Sequence, residues 1–307
     1  MRIGTRGSAL ALAQSGHVRE CLANGAPDDI PLEVIETSGD RNPMASLRRF
    51  GGKGIFTKEI EEALLLGRVD LAVHSLKDLP TEMTAGLVIG AMLPREDPRD
   101  AVIARGGTPI EKLPAGATVG TSSLRRKAQL LAKRPDLNVV DLRGNVPTRL
   151  ARLEEGRFDA IVVAAAGLRR LKLIDRATEL LDDAFMLPAP GQGVVAIQIR
   201  EGDPETAAAV GRLHDPGAAA EAAAERSLLS ALGGGCLVPI GARAKIEDGT
   251  VTLAAFVGDP SGRPSLRRTA RGPASDPEAV GRELAGMLLH EGARAILDKA
   301  RGDEVFP

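Results

Sequence analysis

The chain has 307 residues, 43% hydrophobic and 26% charged, the balance of a globular protein long enough for two or three domains. Lys+Arg 40 against Asp+Glu 41 leaves a net charge of -1, which points to neither nucleic acid nor an anionic membrane surface as partner. Aromatic residues make up 2%, with no Trp and no Tyr, which argues against base stacking and leaves a core of Leu, Val, Ile and Ala. No apolar run reaches the roughly 18 residues of a membrane span. The chain opens on a strand-like segment rather than a basic and then apolar leader, so a cytoplasmic protein is expected. Cys21 and Cys236 lie far apart and only 4 His are present, so neither a structural disulfide nor a metal site is expected.

In chain order, Arg2-Ile3-Gly4-Thr5 reads as a strand and Ser8 as the N-cap of a helix from Ala9 to about Asn24. The N–H groups at that helix start and Arg6 either form an anion site or are an ordinary cap beside a solvated arginine. Leu32 to Glu36 alternates as a second strand. A polar, Gly-rich loop follows through Gly54, carrying Arg48, Arg49 and Lys53, and Phe56 lies just beyond it. Lys58 to Leu66 forms a helix with Gly67 past its end.

Asp70-Leu71-Ala72-Val73 is a short apolar run that reads as a buried strand. It runs into His74-Ser75-Leu76-Lys77-Asp78, and Pro80 stops it. Ligands of open α/β sheets bind outside the carboxyl ends of strands, so Asp78 is placed where a ligand sits. Another strand follows at Leu87 to Gly90.

Pro94 to Asp100 is charged, Pro-bounded and free of apolar residues, which reads as a linker between domains. The β/α alternation then restarts, with strands at 101–103, 117–119, 138–140 and 160–163 and helices from Ser123 and Val146. Pro188 to Gly193 reads as a second crossing, and Val194 to Ile199 as a strand returning to the first domain. From Asp215 the texture changes to an Ala-rich helix, a Gly233-Gly234-Gly235-Cys236 interruption, three strands and one last helix from about Pro277 to Lys299. The domains expected are 1–94 with 194–213, then 99–190, then 215–307.

The basic residues cluster: Thr121 to Arg176 holds 13 Lys or Arg against 6 Asp or Glu. Several sit at strand-to-helix turns, in Gly120-Thr121-Ser122-Ser123-Leu124-Arg125-Arg126, Asp141-Leu142-Arg143-Gly144-Asn145 with Arg149 beyond it, and Arg169-Arg170. Arginine forks match carboxylate and phosphate, so a polyanion site is expected on this edge. The P-loop and Rossmann patterns are absent, which leaves phosphate and carboxylate ligands both open. A lone Cys is often a small buried hydrophobe. Three glycines before Cys236 favour an accessible thiol instead.

Together these stretches resemble the hydroxymethylbilane synthase (porphobilinogen deaminase) family over nearly the whole chain. The resemblance rests on Thr5-Arg6-Gly7-Ser8 with Leu10 to Gln14, Gly51 to Phe56, Val73 to Asp78, Gly120 to Arg126, Leu142 to Asn145, Ala166 to Leu168, Gly191-Gln192-Gly193 and the Cys236 loop. It implies an α/β fold: two lobes like those of type II periplasmic binding proteins with a cleft between them, and a small α+β third domain. It implies four porphobilinogen molecules joined head to tail with loss of ammonia, on a dipyrromethane cofactor held by a thioether to Cys236. By position it makes Asp78 catalytic. Lys77, Ser75, Thr121, Ser123, Arg125, Arg126 and Arg143 become cofactor contacts. Arg6, Ser8, Gln14, Arg143, Arg149 and Arg170 become substrate contacts, and Lys53 and Phe56 a mobile loop. Arg49 matches a lysine position of some relatives. The implied partners are porphobilinogen alone, with no nucleic acid, membrane or metal, in a monomer. The rivals are a non-enzymatic binder of an anionic solute on the same two lobes, which the missing leader disfavours, and a phosphate-ligand transferase.

Overall fold

The computed structural model describes residues 1–23, 29–41, 56–234 and 238–302. The chain opens with β1 (Ile3–Thr5), α1 (Ala9–Leu22), β2 (Leu32–Val34), a single turn α2 (Ser38–Arg41), α3 (Lys58–Leu65), β3 (Leu71–Ser75) and β4 (Leu87–Met92). After a crossing come β5 (Asp100–Ala104), β6 (Thr118–Gly120), α4 (Leu124–Lys133), β7 (Asn138–Val140), α5 (Val146–Glu154), β8 (Ala160–Ala164), α6 (Ala165–Arg170) and β9 (Glu179–Leu180). The chain crosses back into β10 (Val195–Arg200) and α7 (Pro204–Gly211). It ends in α8 (Pro216–Ala231), β11 (Ile240–Glu247), β12 (Thr250–Gly258), β13 (Ser265–Pro273), α9 (Pro277–His290) and α10 (Ala293–Gly302).

Three sheets result, ordered β2-β1-β3-β10-β4, β7-β6-β8-β5-β9 and β11-β12-β13. The first two share one plan. Parallel strands run on one side, and the strand that follows a crossing, β10 or β5, inserts antiparallel beside β3 or β8. This is the two-lobed α/β fold expected, with a smaller antiparallel unit beside it. β3 shows why its sequence is apolar throughout. Leu71 and Val73 pack on the α1 side with Val18 and Ile197, while Ala72 packs on the α3 side with Ile60 and Leu64. A strand buried on both faces has no polar alternation to display. Ala160 and Val162 against Ile161 and Val163 repeat the pattern in β8.

Three expectations change. First, β3 stops at Ser75, and Asp78 closes a 3-10 turn, Leu76–Asp78, instead of ending a strand. Leu76 turns inward to pack with Leu79, Val194 and Ala222, and its burial pulls the chain out of the sheet. Second, the 94–100 stretch carries the crossing between the sheets, but part of its charge is buried. Arg95 is buried between Glu221 and Glu225, and Asp100 is fully buried. Charge without apolar residues there marks buried ion pairs, which composition alone cannot tell from a surface run. Third, the last helix is two, parted at Glu291-Gly292, where Gly292 takes φ +97°. A side chain resists that conformation and glycine does not. The short α2, α6 and α7 and the two-residue β9 are not predicted by the sequence pattern.

Candidate active site

The first two sheets aim the ends of β1, β3, β6, β7 and β8 into one cavity of about 1260 Å³. The lobes face each other here because both chain crossings lie together behind it. Glu96 N and Arg170 Nη2 both donate to Gly193 O, at 3.2 and 2.7 Å. A Cβ on Gly193 would come within 2.3 Å of Glu96 O, so only glycine lets the two segments touch.

Three helices open into the cavity. Ser8, Ser123 and Asn145 cap α1, α4 and α5 by accepting from Ala11 N, Arg126 N and Thr148 N. Their N-terminal ends add positive potential to a wall that is already basic. Among the described residues the lining carries Arg6, Lys77, Arg126, Lys127, Arg143, Arg149, Arg152 and Arg170 against Glu36, Asp40, Asp78 and Asp141. Thr121, Ser122 and Ser123 add hydroxyls. Flexible hydroxyls and planar forks around an open volume suit a ligand bearing several carboxylates.

Most of the expected residues meet here. Asp78, Lys77, Ser75, Thr121, Ser123, Arg126, Arg143, Arg6, Ser8, Arg149, Arg170 and Phe56 all line the cavity. Two expected contacts do not. Arg125 is buried beneath the wall, where its Nη1 donates to Asp100 Oδ2 at 2.6 Å and to Leu187 O at 2.7 Å. Gln14 is buried behind Ser75, and its Nε2 donates to Ser75 Oγ at 2.9 Å. Adjacent arginines on a helix point about 100° apart, so Arg125 and Arg126 cannot both face the cleft alike. Lys53, Arg48, Arg49 and Cys236 lie outside the described residues.

The cleft arginines are not all alike. Arg126 reaches the wall from below, with Nε and Nη2 on Asp100 Oδ1 and Nη1 on Val162 O. Arg143 Nε donates to Asp141 at 2.6 Å, and Arg6 forks onto Asp40 with its plane stacked on Phe56. Arg149 donates Nε to Gly144 O at 2.7 Å. Burial, then the neighbouring Arg126 charge, pushes the Arg149 guanidinium down to about 10. Burial also lowers Arg170. Both effects favour an added anion, which would relieve the cost of enclosing a charge.

Lys77 is enclosed beside Asp78, and its ammonium donates to Gln192 Oε1 at 3.3 Å. Burial first, then Arg126 and Arg125, lowers it to about 8 against the opposing pull of Asp78 and Asp100. Its charge is therefore present below pH 8 and lost above. Binding of a dicarboxylate ligand is expected to weaken as pH rises through 8, by up to about ten-fold per unit for one proton lost. Lys77→Arg should remove that step. Calorimetric titrations between pH 7 and 9 that give one constant affinity would count against it.

Sequence reasoning passed over several supports. Asp100 opens β5, Gln192 Nε2 donates to Asp100 Oδ1 and Pro98 O, and Glu225 accepts from Arg95, Gly191 N and Ala244 N. Arg226 of α8 donates to Leu79 O at 3.2 Å and Pro80 O at 2.7 Å, pinning the chain just after Asp78. An acid heading an apolar strand, and acids within an Ala-rich helix, are the available signals. Their partners lie too far along the chain to be guessed.

The family models and the curated relatives agree on one family. The model for "Porphobilinogen deaminase, dipyromethane cofactor binding domain" matches residues 1–208. That for "Porphobilinogen deaminase, C-terminal domain" matches 219–290. The chain is 48% identical over 300 residues to porphobilinogen deaminase of Syntrophobacter fumaroxidans, covering 97% of each chain. It is 49% identical over 301 residues to that of Thermus thermophilus, covering 97% of this chain and 98% of the other. Among solved structures, the periplasmic aliphatic sulphonate binding protein SsuA of Escherichia coli is similar at 15% identity and a TM-score of 0.42, over 95% of this chain and 87% of that one.

Proposed function

The chain belongs to the porphobilinogen deaminase family, and from that premise we propose how its own residues carry the reaction. The enzyme is a transferase of tetrapyrrole biosynthesis: it condenses four porphobilinogen molecules head to tail into hydroxymethylbilane with release of ammonia, on a dipyrromethane cofactor. The donor set suits that cofactor. Its rings bear acetate and propionate groups, and the second lobe turns helix N-termini, hydroxyls and arginine forks toward one volume. When bound, the cofactor supplies the pyrrole carbon to which the first substrate is joined.

In our reading Thr121, Ser123, Ser75, Lys77, Arg126 and Arg143 hold cofactor acids, and Arg125 acts from below by fixing Asp100. Arg6, Ser8, Arg143, Arg149 and Arg170 hold the incoming substrate's acids, with Gln14 orienting Ser75. Asp78 faces the substrate pyrrole. Loss of ammonia leaves positive charge on that ring, and a fixed carboxylate at the pyrrole N–H stabilises it and can move the proton from the coupled carbon. Asp78 lines the cavity beside Lys77, on a turn that Leu76 anchors in the core and Arg226 holds from behind. That geometry is the observation that carries the assignment. Phe56 lines the same cavity, and Lys53, which the family resemblance pairs with it, lies outside the described residues.

We also propose the divisions 1–94 with 194–213, 99–190 and 215–307, with Cys236 on the last as the thioether attachment point. Arg226 supports this coupling, since α8 leads toward Cys236 and its arginine grips the Asp78 turn. A thiol that must stay reduced before attachment suits a cytoplasmic enzyme, and the family resemblance favours a monomer. Among the described residues no helix is long and apolar enough to cross a membrane.

Intact-mass spectrometry tests the attachment. Protein made with porphobilinogen available should carry the added mass of two linked pyrrole units, and Cys236→Ser should lack both that mass and turnover. An unmodified wild-type mass would sink the assignment.

A further inference from the structure

A guanidinium presents two forked edges, Nε/Nη2 and Nη1/Nη2. Arg6 has the first filled from within the protein. Its Nη2 meets Asp40 Oδ1 at 2.6 Å and its Nε meets Asp40 Oδ2 at 3.2 Å. The plane is held as well, with Cζ 4.1 Å from the Phe56 ring centroid. Asp40 is fixed in turn, because Thr37 donates Oγ1 and N to Oδ2 at 2.7 and 3.3 Å. Arg6 and Asp40 are each 23% exposed and line the same cleft. Among the described residues Arg6 Nη1 makes no hydrogen bond, so the second edge stays available.

We propose that Asp40 is a positioning and specificity-determining residue: it presents Arg6 edge-on to a forked carboxylate and makes the site poor for simple inorganic anions. This rests on Arg6 holding a substrate acid. The physical reason is the range of each force. Beside Asp40 the arginine carries no net charge when seen from a distance, so its long-range pull on any passing anion is largely cancelled. What remains is a short-range, directional pair of donors, which rewards the planar fork of a carboxylate over a tetrahedral or spherical ion. Arg143 Nε donates to Asp141, and Arg126, forked on Asp100, is locked below the wall. Burial works to raise the Asp40 carboxyl, and Arg6 and Thr37 together outweigh it and lower it, so the pair stays ionised at neutral pH.

The test compares holoenzyme of wild type, Asp40→Asn and Arg6→Ala, with inorganic sulfate as the competing anion. The readout is the sulfate inhibition constant divided by KM for porphobilinogen. In Asp40→Asn that ratio should fall about ten-fold, the scale of one charge-assisted hydrogen bond, while kcat changes far less. A merely structural role would lower active protein and leave the ratio alone. An unchanged or higher ratio overturns the proposal. Thr37→Val keeps the charge but loosens Asp40 and should move the ratio the same way by less. It decides the matter should Asp40→Asn fail to fold. Arg6→Ala separates the two layers. A raised KM there beside an unchanged ratio in Asp40→Asn overturns this inference alone. An unchanged KM in Arg6→Ala removes Arg6 from substrate binding and the inference with it.

Discussion

Asp78→Asn is expected to fold, to keep its dipyrromethane, and to lose turnover by on the order of 10³-fold or more. The amide keeps the shape and the ability to accept a hydrogen bond. It cannot offset positive charge on a pyrrole as ammonia departs, nor hold the proton released on coupling. The loss should fall on kcat more than on KM, because the arginines and hydroxyls that grip the acid side chains are untouched. Stability should change little, since Asp78 is only half-buried and its turn is fixed by other groups. Leu76 N donates to Val194 O, Leu79 N to Leu76 O, and Arg226 holds the carbonyls of Leu79 and Pro80. Single-turnover kinetics with mass spectrometry of the accumulated chain would check both halves. Turnover within ten-fold of wild type would remove Asp78 from the chemistry.

Asp100→Ala should instead act through the fold. Its carboxylate is fully buried and accepts from Arg125 Nη1 at 2.6 Å and from Arg126 Nη2 at 2.7 Å. Removing it leaves two buried guanidinium groups with no counter-charge, a cost of about 3–5 kcal/mol. Urea unfolding with an unchanged slope and a lower midpoint would record it. Arg126 would also lose its fixed place in the cleft wall, so cofactor retention should fall as well. The pH dependence follows from the same contacts. Burial pushes the Asp100 carboxyl up, and the two guanidinium groups together push it further down, well below the usual carboxylate range. A lowered carboxylate contributes its stability above its unfolded value of about 3.9. That contribution is lost only as pH falls below this toward the folded value. Near neutrality the contribution is constant. A change below about 1 kcal/mol in Asp100→Ala would mean that the arginines find other partners.

The elements were readable where local rules dominate. Ser8, Ser123 and Asn145 each stand before a helix and cap it, and the apolar runs at 71–73 and 160–163 became central strands. The basic stretch from Thr121 onward gave the anionic character of the ligand, because charge density and turn position are properties of the chain itself. The 94–100 segment shows where this fails. A charged run looks the same whether it meets water or Glu225, and its partner lies 130 residues away.

By itself the sequence determined the two-lobed α/β organisation, the family and the candidate Asp78, because periodicity, turn residues and motif order are all local. Only the tertiary structure decided which arginines face the cleft, that Arg125 serves Asp100 below it, that Asp40 occupies one edge of Arg6, and that Arg226 braces the turn bearing Asp78. Those facts depend on directions of side chains brought together from distant parts of the chain, and a linear spacing does not contain a direction.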